Sequence, residues 1–210
     1  MSDWNPAELI GARPHPLAFS LFRRLVSDGI WAYERSNFGY RNMRSHPLIV
    51  SIQGRPYVDV RVSAESLVPA SLPPELAQDI IDMQLEKLQH QPRLHDKVEF
   101  EVFTAEYSAR LQHDDVIGQL SKFDQKRFTE AVKQITRRII TDSPYGLTSS
   151  LNKSSELRNR FDRLMATEAT AFFKIHWLLE DCARYGTLPF AGAARAAFIA
   201  ASMLSAMVEI

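Results

Sequence analysis

The feature that most constrains this chain is a pair of long helical patterns that meet end to end in its last third. From about Ser154 to Tyr185, residues Leu157, Phe161, Leu164, Phe172, Ile175, Leu179 and Cys182 keep a helical period over roughly eight turns. Gly186 can end that helix in a left-handed conformation, and Thr187-Leu188-Pro189 then turns the chain into an alanine-rich helix that continues towards Ile210. Helices joined by so short a connection pack antiparallel, so the spacing predicts a helical hairpin over residues 151–210, packed on the same unit as the rest. Ala193, Ala197 and Ala201 leave one face of the second helix flat enough for close approach. Glu168 falls on the apolar stripe, where a carboxylate requires a partner such as Arg184, Arg195 or an arginine from elsewhere. The run Ala191–Val208 is apolar enough to invite comparison with a membrane span. Arg195 interrupts it, however, and the uncharged remainder is about a dozen residues against the roughly 20 a span needs. The spacing therefore predicts a buried core helix.

Residues 1–150 read as an α+β subdomain. Asn5-Pro6-Ala7-Glu8 is a helix start, with an N-cap, a proline at the first position and a glutamate near enough to cap back. A second helix is predicted over about Leu17–Ser36, with Gly29 as a weak point. Leu48–Ile52 is a short apolar strand, and Gln53-Gly54-Arg55-Pro56 supplies turn chemistry. Two further runs alternate. Tyr57–Val62 sends Val58, Val60 and Val62 one way and Tyr57, Asp59 and Arg61 the other, and Lys97–Phe103 does the same with Val98, Phe100 and Val102 against Lys97, Glu99 and Glu101. The expectation is a small antiparallel or mixed sheet with one wet face. Helices are predicted between and after these runs. Pro73-Pro74 opens one with a stripe of Ala77, Ile80, Ile81, Leu85 and Leu88, and Ser121–Asp124 opens another that buries Phe128, Val132, Ile135 and Ile139. Asp142 to Leu147, with Pro144 and Gly146, breaks the chain before the hairpin. The fold class expected is mainly helical α+β.

Charge excludes some functions. The 25 basic and 25 acidic residues cancel, so no long-range field draws nucleic acid or an anionic membrane, and Lys126, Arg127, Lys133, Arg137 and Arg138 read as a solvated helix face. The single Cys182 leaves no internal disulfide framework, and the N-terminus has neither the basic start nor the apolar run of a signal peptide; together these predict a cytoplasmic protein. The eight glycines are scattered singly, so no phosphate-binding glycine loop is present.

Candidate chemistry is sparse. The six histidines and one cysteine give no metal constellation, and His95, Asp96 and Glu99 on a strand would lie too far apart to share one ion. His46 is followed by Pro47 and an apolar strand, which suits a turn better than a phosphocarrier histidine. The wet sheet face is the stronger candidate. Tyr57, Asp59 and Arg61 beside Lys97, Glu99 and Glu101 form either a platform for a polar ligand or a set of cross-strand salt bridges. A hydrolase using Glu99 or Glu101 with Asp59 is a third, weaker reading. Arg184-Tyr185-Gly186-Thr187 combines a cation, a phenol and a hydroxyl at a helix junction, a turn that can hold an anion or simply join two helices. Arg184 and Thr187 join the candidate ligand-binding residues, and no catalytic or metal-ligating residue is assigned.

Several segments together resemble the central region of phosphoenolpyruvate synthase and pyruvate phosphate dikinase-like multidomain proteins. They are Asp3–Gly11, Pro16–Leu21, Gly39-Tyr40-Arg41, Pro56–Arg61, His95–Glu101 and Arg184–Ala191, spread over nearly the whole chain and in the family's order. In that family an ATP-grasp region phosphorylates a histidine on a swivelling domain, which passes the phosphoryl group to an acceptor. Neither the nucleotide site nor the phosphohistidine loop has counterparts here. The resemblance therefore implies a piece of a larger phosphotransferase, inactive alone, that binds the acceptor or spaces the domains. ATP and magnesium would serve the parent protein and no cofactor this chain. Its partners would be the neighbouring ATP-grasp and phosphohistidine domains, a small-molecule acceptor and, for the isolated piece, a second copy. The alternative is a free-standing small-molecule-binding or interaction protein that uses the polar sheet face.

Overall fold

The computed structural model describes residues 6–141 and 146–208; the Asn5 cap and most of the Asp142–Leu147 break lie outside the described residues. The chain is mainly helical with one two-stranded antiparallel sheet, as the patterns predict.

A short helix α1 (Pro6–Ile10) precedes a longer helical rod. The rod starts at α2 (Pro16–Phe22), where Pro16 at the first turn supplies a preset φ and lacks only an N–H that would have had no partner. It continues through a π-helical segment, Arg23–Trp31, into α3 (Ala32–Phe38). Gly29, the expected weak point, sits inside the π segment. The hairpin follows, β1 (Ile49–Ile52) pairing with β2 (Arg55–Val58) so that Ile49 faces Val58 and Ile52 faces Arg55. Gln53 and Gly54 form its two-residue turn with φ of 53° and 76°, the left-handed pair that matches the twist of the strands.

Neither alternating run is a full strand. Val58 is the last strand residue of the first run. Asp59 then caps α4 (Val60–Glu65), its Oδ1 accepting from the Val62 N–H at 3.1 Å. The second run is a π-helical turn, Val98–Val102. Residues four apart share a face in a strand and nearly share one in a helix. Val98 and Val102 are thus buried together in either geometry, and only position 100 separates the two. Phe100 sides with the helix, packing edge-on against Phe198 at 4.8 Å. The expected third strand and the wet sheet face are corrected accordingly.

Helices α5 (Pro74–His90) and α6 (Lys122–Ile140) form the centre of the main core. Ser121 caps α6 as its spacing predicts, its Oγ accepting from the Asp124 N–H at 3.1 Å. Ile80, Ile81, Val132 and Ile139 have no solvent exposure, and Tyr40 is buried with its hydroxyl donating to the Ala105 carbonyl at 2.7 Å.

The C-terminal helical hairpin is present, but its turn is displaced. Helix α7 (Leu147–Met165) ends at Ala166, and the chain reverses through residues 166–170. Helix α8 (Ala171–Asp181), a π segment (Cys182–Thr187) and α9 (Leu188–Val208) then run on without interruption and pack along α7. The turn expected at Gly186–Pro189 is therefore corrected. The wide π turn just before Pro189 relaxes the clash a proline ring otherwise makes with the carbonyl one turn back, so the helix passes through both breakers. Glu168, in the reversing loop, is exposed and requires no buried partner. Helix α9 reaches the main core with Ala196 and Ile199. Gly192 allows this approach: a Cβ there would stand 2.8 Å from Ser150 Oγ and 3.3 Å from Glu34 Oε1.

Candidate functional site

The three π-helical segments converge on one cavity of about 410 Å³. Val26, Ser27, Ile30 and Trp31 come from the first segment, Val98 and Glu99 from the second, and Thr187 from the third. The β-hairpin contributes Arg55, Pro56, Tyr57 and Val58, and α1 adds Pro6 and Ala7. π-Helical turns are rare in proteins and recur at functional sites, because the extra residue redirects side chains that a regular helix would keep in line. A mostly apolar hollow of this volume with a few polar groups has the dimensions of a small-molecule site.

The polar groups differ in depth. Ser27, Ser63 and Glu99 are buried, each less than 9% exposed. Arg55, Tyr57, His95 and Asp96 are exposed and form the rim.

Behind the wall lies a buried ionic network. The Arg35 guanidinium donates through Nη2 to Glu99 Oε1 and through Nη1 to Ser66 Oγ at 2.8 Å. Ser66 in turn donates to the Ser63 carbonyl at 2.5 Å. The same guanidinium lies 4.2 Å from the Trp31 ring centroid, so one side chain positions both the carboxylate and the indole of the wall. Arg195, from α9, donates to Glu106 Oε2 at 2.5 Å and holds its Nη1 4.0 Å from Glu99 Oε2. Burial opposes the charge of Arg195, but the Tyr40 hydroxyl, Glu106 and Glu99 outweigh it and hold the guanidinium above the ordinary arginine range. Burial likewise pushes the Tyr40 phenol up.

In this network Nε and Nη1 of Arg195 are buried without hydrogen-bond partners among the described residues, and the same holds for one oxygen of Glu34. That oxygen, Oε1, lies against Gly192 and Ser150, where α3 meets the hairpin. Burial pushes the Glu34 carboxyl up to about 8, against the opposing pull of Arg35 and Arg195 and with a smaller contribution from Glu99.

The structure brings together some of the sequence-predicted residues and disperses others. Tyr57, Glu99 and Thr187 meet on the cavity wall. Asp59 is spent as the α4 cap, and Arg61 pairs on the surface with Asp82 at 2.9 Å. Lys97 and Glu101 pair with each other at 3.5 Å, one helical turn apart. Arg184 is exposed, 3.9 Å from Glu180, and residues 182–187 are a stretch of continuous helix rather than a turn, whether anion-holding or interhelical; the Thr187 hydroxyl donates to the Ala183 carbonyl at 3.3 Å. No platform unites these six charged and phenolic groups, because the second run is helical and Glu99 points into the interior. The carboxylate pairing of Asp59 with Glu99 or Glu101 is lost for the same reason. Among the described residues no group of three or more His, Cys, Asp or Glu side chains could hold a metal ion.

Ser27, Trp31, Ser63 and Arg55 were not singled out from sequence. One signal was available: Trp31 and Arg35 stand four apart in a helical pattern, the spacing that stacks a cation on an indole. Arg195 was conspicuous in an apolar helix, but its partner is Glu106 rather than Glu168. Comparison with family models, curated proteins and solved structures returned no significant match.

Proposed function

We propose that this chain is a non-catalytic, ligand-binding segment of a phosphoenolpyruvate synthase-like phosphotransferase, and that the cavity between the π segments receives the acceptor. One observation carries the reading. The segments on which the family resemblance rests also furnish much of the cavity wall: Pro6 and Ala7, Pro56–Val58, His95 and Asp96, Val98 and Glu99, and Thr187 with Ala191.

Binding without chemistry accords with the groups present. The carboxylate on the wall is held by Arg35, and the exposed His95 at the rim turns its Nδ1 to the Pro92 carbonyl at 3.1 Å. Activated phosphate, with ATP and magnesium, would be supplied by neighbouring ATP-grasp and phosphohistidine domains. Because the wall consists of this chain's own residues, binding is expected of the isolated chain, as it would be for a free-standing binding protein.

A thermal-shift panel of apolar alcohols and amines, sugars, phosphosugars, pyruvate and nucleotides tests the reading, with Ala191→Trp as the cavity-filling control. At least one compound should raise the melting temperature of the wild type and leave the variant unmoved. Incubation of the isolated chain with ATP and magnesium should yield no phosphohistidine; a labelled histidine would overturn the non-catalytic assignment.

A further inference from the structure

The depth at which each polar group sits specifies the chemistry of the occupant. At the buried end the cavity presents the Glu99 carboxylate and the hydroxyls of Ser27 and Ser63. An ionised carboxylate only accepts hydrogen bonds, and it has room for about four. The guanidinium groups that neutralise it, Arg35 and Arg195, stand behind it and do not line the cavity. A ligand head reaching this end therefore meets an acceptor-rich surface whose compensating positive charge is out of reach. Between that end and the rim the wall is apolar, with Phe22, Val26, Trp31, Leu48, Ile49 and Val98. The arginine in the lining, Arg55, is at the solvent rim, with Asp96 among its rim neighbours to weaken any anion site there.

We infer that the cavity selects small molecules with an apolar body and a hydrogen-bond-donating head, a hydroxyl or ammonium group, and rejects the same body carrying a carboxylate. An anionic head would be desolvated against Glu99 without a cation to meet it, the costliest way to bury charge. A hydroxyl instead donates to the carboxylate, a charge-assisted bond stronger than a neutral one, and accepts from a serine. This inference rests on the binding role proposed above and narrows it: the acceptor is an alcohol or amine rather than a free acid.

Three compounds with one body isolate the effect of the head group: 4-phenylbutan-1-ol, 4-phenylbutylamine and 4-phenylbutanoate. Each is titrated calorimetrically into the full chain at pH 7. The alcohol and the amine should bind, and the acid should bind at least about tenfold more weakly, a difference of about 1.4 kcal/mol. Glu99→Gln should narrow the gap between amine and acid. Because that substitution takes the charged partner from buried Arg35 and can cost the fold, Ser27→Ala serves as the second variant and should weaken the alcohol while leaving the acid unchanged. Equal or tighter binding of the acid overturns the inference but leaves a binding cavity. Failure of all three to bind overturns the inference, and the thermal-shift panel with its Ala191→Trp control then decides the binding role separately.

Discussion

In α6, Phe128, Val132, Ile135 and Ile139 are all buried, whereas in α8 Phe172, Phe173 and Ile175 are each at least half exposed. Both helices show an apolar stripe in the sequence. The difference lies in what the rest of the chain offers each of them. α6 is covered by α3, α9 and the segments around Val102 and Ile117. α8 packs chiefly on α7 and the neighbouring π segment, with Glu180 paired to Arg24 of the first π segment, and α7 itself contributes no buried residue. The stretch Ala171–Val208 is long and apolar enough by composition to cross a membrane, yet it meets the body through the Cys182–Thr187 turn on the first π segment and through Arg195, Ala196, Phe198 and Ile199 on α9. The body closes on a dry apolar core, while the hairpin attaches to it through a seam that mixes apolar residues with buried charges. Apolar periodicity reports that a helix has a face to bury; it does not report whether the chain supplies a cover.

The seam is where pH should separate the two regions most. Glu34 holds its proton up to about pH 8 in the folded chain and up to about 4.5 in the unfolded one. Between those values the folded state binds the extra proton, so stability is fully present below the lower value and falls as pH rises towards 8. Beyond 8 it is flat. At about 1.4 kcal/mol per pH unit, linkage puts the whole loss on the order of 5 kcal/mol. The groups facing Glu34 are Arg35 on its own helix, Arg195 from α9 and Glu99 from the second π turn. Urea unfolding at pH 5 and pH 8 should show wild type losing stability relative to Glu34→Gln across this window. Parallel curves for the two proteins would mean that the buried carboxyl is not protonated in the folded state.

In the dry core a single truncation should have the next largest effect. Ile139 has no exposure and sits at the last buried turn of α6. Ile139→Ala should cost about 3 kcal/mol, transfer and cavity terms together, with no dependence on pH between 5 and 8. A pH-dependent cost would show that core and seam are one cooperative unit rather than two differently built regions.

How much of this was legible beforehand follows from the same physics. The cap at Ser121, the turn at Gln53-Gly54 and the stripes of α5 and α6 depend on neighbours a few residues away, and each is where local chemistry places it. The errors arose where two geometries share a spacing. Val98 and Val102 satisfy strand and helix alike, and Asp59 reads as a polar strand position until its side chain turns back to cap Val62. Gly186 and Pro189 are breakers of a regular helix, and they lose that force next to a π turn, which no local pattern announced. Of the candidate site, Tyr57 and Glu99 were legible as the polar side of alternating runs and Thr187 as a hydroxyl in a polar junction. Ser27 and Ser63 carry no such mark, because a serine in an amphipathic helix is unremarked until three distant segments meet around it.

The exposed face of α8 sharpens the contrast by the smallest effect of the three. Phe172 is 86% exposed at the start of the helix, one residue into α8 and beyond the Thr170 cap. Truncating an exposed aromatic removes little area from the folded interior, and surface changes away from caps and networks stay within about 0.5 kcal/mol. Phe172→Ser should therefore leave the unfolding midpoint of the chain almost unchanged, although in sequence it removes a larger apolar group than Ile139→Ala does. Measured side by side under dilute conditions, the two substitutions rank burial rather than hydrophobicity. A loss of 2 kcal/mol or more at Phe172 would mean that α8 folds back onto the body, and the division between a dry core and a hairpin with an open apolar face would have to be abandoned.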